Sequence, residues 1–148
     1  MFCLGQKRIA LISVHGDPAV EIGKEEAGGQ NVYVRHVGEA LACQGWQVDM
    51  FTRRASAEQP AIVEHSANCR TIRLIAGPQE FVPRDEIFGY APEFVQALLD
   101  FQQQLKSPYS LVHTNYWISS WVGMELRKQQ PKLKQVHTYH SLGAVKYK

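Results

Sequence analysis

No apolar run in this 148-residue chain is long enough to cross a bilayer, and Met1 to Arg8 holds none of signal-peptide length. No membrane association is therefore expected, and the expected compartment is the cytoplasm. Basic tracts are also missing: a formal charge of +2 on an ordinary globular composition gives no electrostatic footprint for nucleic acid. Cysteine is scarce and odd in number; Cys3, Cys43 and Cys69 lie far apart, which excludes a disulfide framework or a zinc knuckle and leaves three reduced, mostly packing residues. Two phosphate-binding signatures are absent as well. There is no G-x-G-x-x-G directly after the first strand and no G-K-[ST] anywhere. His137-x-x-His140 has no carboxylate or cysteine close by, so no metal is expected.

What is present is an alternation of short apolar runs with helical patterns. Arg8 to Val14 reads as a strand covered on both faces of a parallel sheet. Val34, Val37 and Leu41 recur at helical spacing until Gly45, and Gln47 to Thr52 reads as a second strand. Ile62 to His65 and Arg70 to Ile75 fit either a hairpin or one interrupted strand. Pro92 opens a helix through Phe94, Leu98, Phe101 and Leu105, closed by Ser107-Pro108. Strands at Ser110 to Thr114 and Leu133 to Thr138 then flank a helix carrying Ile118, Trp121, Val122 and Leu126. Such an order implies right-handed crossovers and one α/β domain with a doubly wound, mostly parallel sheet.

Ligands in such sheets sit beyond the carboxyl ends of the strands. Gly28-Gly29-Gln30-Asn31 opens the first helix, where free backbone N–H groups and small side chains suit a phosphate or another anion. Four histidines, His15, His113, His137 and His140, fall at or near strand ends, although polar residues also collect there for structural reasons alone. Arg53-Arg54 after the second strand is placed to receive an NADP 2′-phosphate, but a solvated arginine pair is the commoner explanation.

Read together, His15-Gly16-Asp17-Pro18, Ala27 to Val34 and Val48 to Arg54 resemble the amino-terminal domain of the retaining GT-B glycosyltransferases of family 4, and within it the sucrose-phosphate synthase branch. The likeness runs on through Ala76-Gly77-Pro78, Phe81 to Glu86, His113 to Trp117 and His137 to Gly143, in order along nearly the whole chain. It implies a Rossmann-like fold, the amino-terminal half of a GT-B enzyme, and a hexosyltransferase moving glucose from UDP-glucose to fructose 6-phosphate. Gly28, Gly29 and Gln30 would face the donor diphosphate and sugar, with Asn31 facing the acceptor. His140 would lie at the donor sugar near the scissile bond. Arg84, Tyr116 and Thr138 would hold the acceptor phosphate, with Arg84 standing where relatives usually carry lysine. The resemblance implies no cofactor beyond the donor substrate, and the leaving phosphate takes the acceptor proton, so no protein nucleophile is required.

The family has a second, donor-binding domain that these 148 residues do not contain, so the chain is expected to need that domain or a partner chain and to be inactive alone. An apolar face built for that domain makes a homodimer conceivable. Two further readings stay open: a glycosyltransferase acting on inositol phosphate, toward which His113 to Trp117 and Ala144-Val145-Lys146 lean, and a non-catalytic phosphosugar-binding module. The missing dinucleotide fingerprint carries its own prediction. Fluorescence titration with NADPH gives no saturable binding, and saturation would restore the oxidoreductase reading.

Overall fold

A computed structural model describes residues 7–21 and 28–141. The elements run β1 (Arg8–Ile12), α1 (Gly29–Cys43), β2 (Gln47–Arg53), β3 (Ile62–Ser66), β4 (Cys69–Leu74), α2 (Arg84–Ile87), α3 (Ala91–Gln102), β5 (Leu111–Asn115), α4 (Tyr116–Gln129) and β6 (Lys134–Thr138). Cys3, Ala27, Leu142-Gly143 and Ala144-Val145-Lys146 lie outside the described residues.

The strands form one sheet in the order β3-β4-β2-β1-β5-β6, parallel throughout except for β3. The doubly wound sheet expected from the sequence is present. β1 lies in its interior, and its alternation divides the core in two. Ile9 and Leu11 join Val34, Val48, Met50 and Cys69 beneath α1. Ala10 and Ile12 join Phe51, Ile72, Phe94, Leu98, Val112, Ile118 and Val122 on the opposite face, beneath α3 and α4. Because the chain leaves β1 toward β2 and later returns to β5 on its other side, the strand order switches beside β1.

The two segments around Ala67-Asn68 form a hairpin, antiparallel with an irregular register between Glu64 and Ser66. Exposure alternates along β3, as suits an edge strand. Elsewhere the boundaries shift. β1 ends at Ile12, yet the chain stays tied to β2, since the Ser13 N–H donates to the Phe51 carbonyl and Val14 accepts from the Arg53 N–H. The helix α3 stops at Gln102 and finishes in turns that reach Leu105. α4 starts at Tyr116, two residues earlier than its first apolar marker, with no loop after β5. The short α2 and the 3-10 turn Phe88–Tyr90 carried no periodic signal. Cys69 packs in the core, but Cys43 is exposed at the end of α1 and does not serve as packing.

One polar group is buried beneath α3. The Asp49 carboxylate accepts from the Arg70 guanidinium at 2.7 and 3.3 Å and from the Tyr109 hydroxyl at 2.5 Å. Arg70 also lies over the Phe101 ring, 5.4 Å from its centre. Tyr109 is buried as well, and burial next to Asp49 pushes its hydroxyl far above the usual phenol range, so it stays a donor. Tyr109→Phe strips one donor from a carboxylate that water does not reach and lowers stability by about 1–3 kcal/mol. Urea unfolding checks this, with the midpoint falling and the slope unchanged.

Candidate functional site

The carboxyl ends of β1, β2, β4, β5 and β6 and the start of α1 converge on one edge of the sheet. Beyond β1 the chain turns sharply through Ser13 to Asp17. The Ser13 hydroxyl donates to the Gly16 carbonyl at 2.6 Å and accepts from the Gln30 side-chain amide at 2.8 Å. A side chain at Gly16 would collide with this arrangement, its Cβ standing 2.8 Å from Ser13 Oγ and 3.3 Å from Asn31 Oδ1. The Asn31 amide donates to the Asp17 carbonyl at 2.9 Å, and the Asp17 carboxylate pairs with Arg73 of β4 at 2.8 Å. Gln30 and Asn31 are thereby anchored to the turn after β1.

Gly28 caps α1 in an extended conformation without a side-chain bond to the helix start. None of the described residues lies within 4 Å of where a Cβ on Gly29 would be. Among the described residues the room left by that glycine is open, as approach by an outside anion requires.

Tyr116 sits where β5 passes directly into α4, with φ of 73°, the left-handed region that a bulky L-residue rarely enters. The residue is 3% exposed, its ring edge-on to His15 at 4.7 Å and beneath the Arg84 guanidinium at 5.4 Å. Arg84 itself is 43% exposed at its side chain, with Asp85 4.0 Å away. Thus the structure brings Arg84 and Tyr116 together, with the arginine outermost. Thr138, at the end of β6, shares its hydroxyl with His113 Nε2 at 2.7 Å and the Tyr33 hydroxyl at 3.4 Å. His140 Nε2 donates to Asn115 Oδ1 at 2.9 Å, and the Tyr33 ring lies edge-on to it at 5.0 Å. His137 turns instead to the Thr114 hydroxyl, so it and His140 do not converge as a ligand pair. Among the described residues no three His, Cys, Asp or Glu side chains gather as a metal-binding set.

The four histidines share an electrostatic condition. Burial pushes the pKa of each below the ordinary imidazole value. For His15, burial, then Arg84, then His140 bring it down to about 4. All four are neutral at pH 7, which leaves Arg84 as a cation held at this edge with an exposed guanidinium. The buried Nδ1 of His15 has no hydrogen-bond partner among the described residues. His15 borders a cleft of about 220 Å³, lined also by Val14, Asp17, Asn31, Arg53, Phe81 and Val82. A larger hollow, about 750 Å³, lies at the amino ends of the strands around Trp46, Tyr109 and Leu133, away from all of these groups.

Ser13, Asp17, Tyr33, Arg73 and Asn115 were not legible as contributors, because each also acts through a partner at least 14 residues away, such as Asp17 on Asn31. The solvated arginine pair is corrected in one member. Arg53 is 5% exposed and bonded to carbonyls, while Arg54 grips Ala57 and Gln59.

A Rossmann-like sheet with this carboxyl edge is one half of a GT-B glycosyltransferase. The chain belongs to the family of the glycosyl transferase 4-like domain, whose model matches residues 28–148. Over 139 residues it is 41% identical to the D-inositol 3-phosphate glycosyltransferase of Corynebacterium kroppenstedtii, covering 94% of this chain and 31% of that protein. The enzyme of the same name from Kineococcus radiotolerans is 38% identical, with coverage of 95% and 32%. Among solved structures, the sucrose-phosphate synthase of Thermosynechococcus elongatus is similar with 56% identity and a TM-score of 0.88, over 96% of this chain and 35% of that one. The catalytic domain of starch synthase IV from Arabidopsis thaliana, 14% identical with a TM-score of 0.60, shares the fold. The chain spans about a third of the length of these relatives.

A depressed His15 has a consequence for stability. Its folded pKa of about 4 lies below the ordinary 6.5, so the unfolded chain binds the extra proton between those values and stability falls as pH drops through that window. From pH 7.5 to 5 this one group removes on the order of 2 kcal/mol. Urea unfolding across that range should decline less steeply for His15→Gln, and an imidazole titrating near 6.5 in the folded protein would contradict the assignment.

Proposed function

We propose that this chain is the acceptor-binding half of a retaining glycosyltransferase that transfers glucose from UDP-glucose to fructose 6-phosphate. The observation that carries the reading is the 56% identity to a sucrose-phosphate synthase across 96% of the chain, against 41% for the inositol-phosphate enzyme of C. kroppenstedtii.

In this reading Arg84 holds the acceptor phosphate. The neighbouring histidines are neutral and add no competing positive charge, so the phosphate is drawn to one place on the edge. Asn31, locked to Asp17, faces the acceptor hydroxyls, and the unpartnered Nδ1 of His15 gains a hydrogen bond when a polyol enters the cleft. Gly28, Gly29 and Gln30 bring the backbone N–H groups of the α1 start toward the donor diphosphate, stabilising charge as the leaving group departs. His140, held by Asn115, stands at the donor sugar, and Thr138 acts through the hydroxyl it shares with His113. Tyr116 supports Arg84 from below. The chain's share of catalysis is positioning and electrostatics; the acceptor proton passes to the leaving phosphate. Since these residues make up about a third of each relative's length, the 148-residue chain binds the acceptor but does not turn over by itself.

A second reading, transfer to an inositol phosphate, is favoured by the names of the curated relatives at 35–41% identity. Calorimetric titration with fructose 6-phosphate, inositol phosphate and UDP-glucose separates the two. Fructose 6-phosphate should bind saturably, and Arg84→Ala should weaken it by about 1.5–3 kcal/mol, the range of a charge-assisted hydrogen bond. Preference for inositol phosphate would move the assignment to the second reading, and turnover by the isolated chain would overturn the division of labour.

A further inference from the structure

Arg53 ends β2 and is 5% exposed as a residue, among the most deeply buried charged residues described. Taking an arginine out of water is costly unless its N–H groups find acceptors. No carboxylate makes an ion pair with it among the described residues; the acceptors are three backbone carbonyls spaced along one loop. Arg53 donates to Ala76 at 3.3 Å, to Pro78 at 2.7 Å and to Glu80 at 2.6 Å. Its planar fork thus spans the stretch that leads from β4 to α2, and lysine, with one compact ammonium, does not reproduce that geometry.

The same stretch is held from its other side. Gly77 adopts φ of 73°, and a Cβ there would stand 2.5 Å from the Tyr90 ring, so the backbone lies flat against it. The Gly77 N–H donates to the Glu93 carboxylate of α3 at 2.7 Å. Between these two anchors the strap has little freedom. It then turns outward at Phe81, 81% exposed, tucks Val82 into the core, and begins α2 at Arg84. Three residues separate the last carbonyl gripped by Arg53 from the guanidinium over Tyr116.

We propose that Arg53 is a positioning residue for Arg84: by gripping the carbonyls of 76, 78 and 80 it fixes where the Arg84 guanidinium stands over Tyr116, and so sets the affinity for the acceptor phosphate. The second half of that statement rests on the assignment of Arg84 made above; the first half does not.

The test is Arg53→Lys in the 148-residue chain, read in two ways. The first is the NMR spectrum of the Arg84 side chain, whose protons the Tyr116 ring displaces upfield. In Arg53→Lys they move toward the values of free arginine while the amide signals of β1 and β5 stay in place. The second is a double-mutant cycle on fructose 6-phosphate binding. Arg53→Lys weakens binding about tenfold, and combined with Arg84→Ala it adds almost nothing to the loss from Arg84→Ala alone. Unmoved Arg84 signals, or losses that multiply independently, overturn the proposal. If the wild-type chain binds no sugar phosphate but the Arg84 signals move, the positioning stands and the acceptor assignment falls. Should Arg53→Lys fail to fold, Glu93→Ala, at the strap's other anchor on the surface of α3, is read in the same way.

Discussion

Coverage of β1 on both faces is the constraint on which the rest of this molecule depends. Ile9 and Leu11 are sealed by α1, and Ala10 and Ile12 by α3 and α4, so neither face of the strand is left to solvent. Backbone polar groups that the ladder no longer satisfies therefore gather at the end of the strand. There the turn from Ser13 to Asp17 collects the side chains of Gln30 and Asn31 and ties the start of α1 to the sheet. The geometry of the candidate site follows from how a buried strand ends.

Electrostatically this edge is spare. Imidazoles dominate it, but burial keeps them uncharged, and they act as hydrogen-bonding and packing groups: His113 with Thr138, His140 with Asn115, His15 against Tyr116. Among the described residues Arg84 is an exposed cation here, with the Asp85 carboxylate 4.0 Å away, and the start of α1 contributes a diffuse positive charge. A site of this kind discriminates by where a phosphate stands rather than by how much positive charge surrounds it. That suits the proposed transfer, in which two phosphorylated substrates are kept apart while their reacting atoms are brought close.

Much of the fold was legible because its signals are local. The apolar run at 9–12, the helical spacing of Val34, Val37 and Leu41 and the proline at 92 each report on neighbours a few residues away. The hairpin stayed ambiguous because Ala67-Asn68 is not a strong turn pair, and the antiparallel pairing of β3 with β4, such as Val63 with Thr71, settles it. α2 was invisible because four residues are too short for a period to show. At the site, Gly28 to Asn31 and Arg84 could be picked out as residue types suited to anions. The supports behind them could not, because Arg73 meets Asp17 across 56 positions and Arg53 meets Glu80 across 27. Arg53 was misread for the same reason: next to Arg54 in sequence it looks like surface charge, and only the fold turns the two side chains toward different loops.

The direct passage of β5 into α4 at Tyr116 leaves the chain no slack at that point. Each residue added to a helix turns it by about 100° and lengthens it by about 1.5 Å. One residue inserted between Asn115 and Tyr116 would therefore swing the face carrying Ile118 and Val122 out of the core, along with the platform beneath Arg84. The joint at Tyr116 acts as a ruler, setting the phase between sheet and helix to a single value.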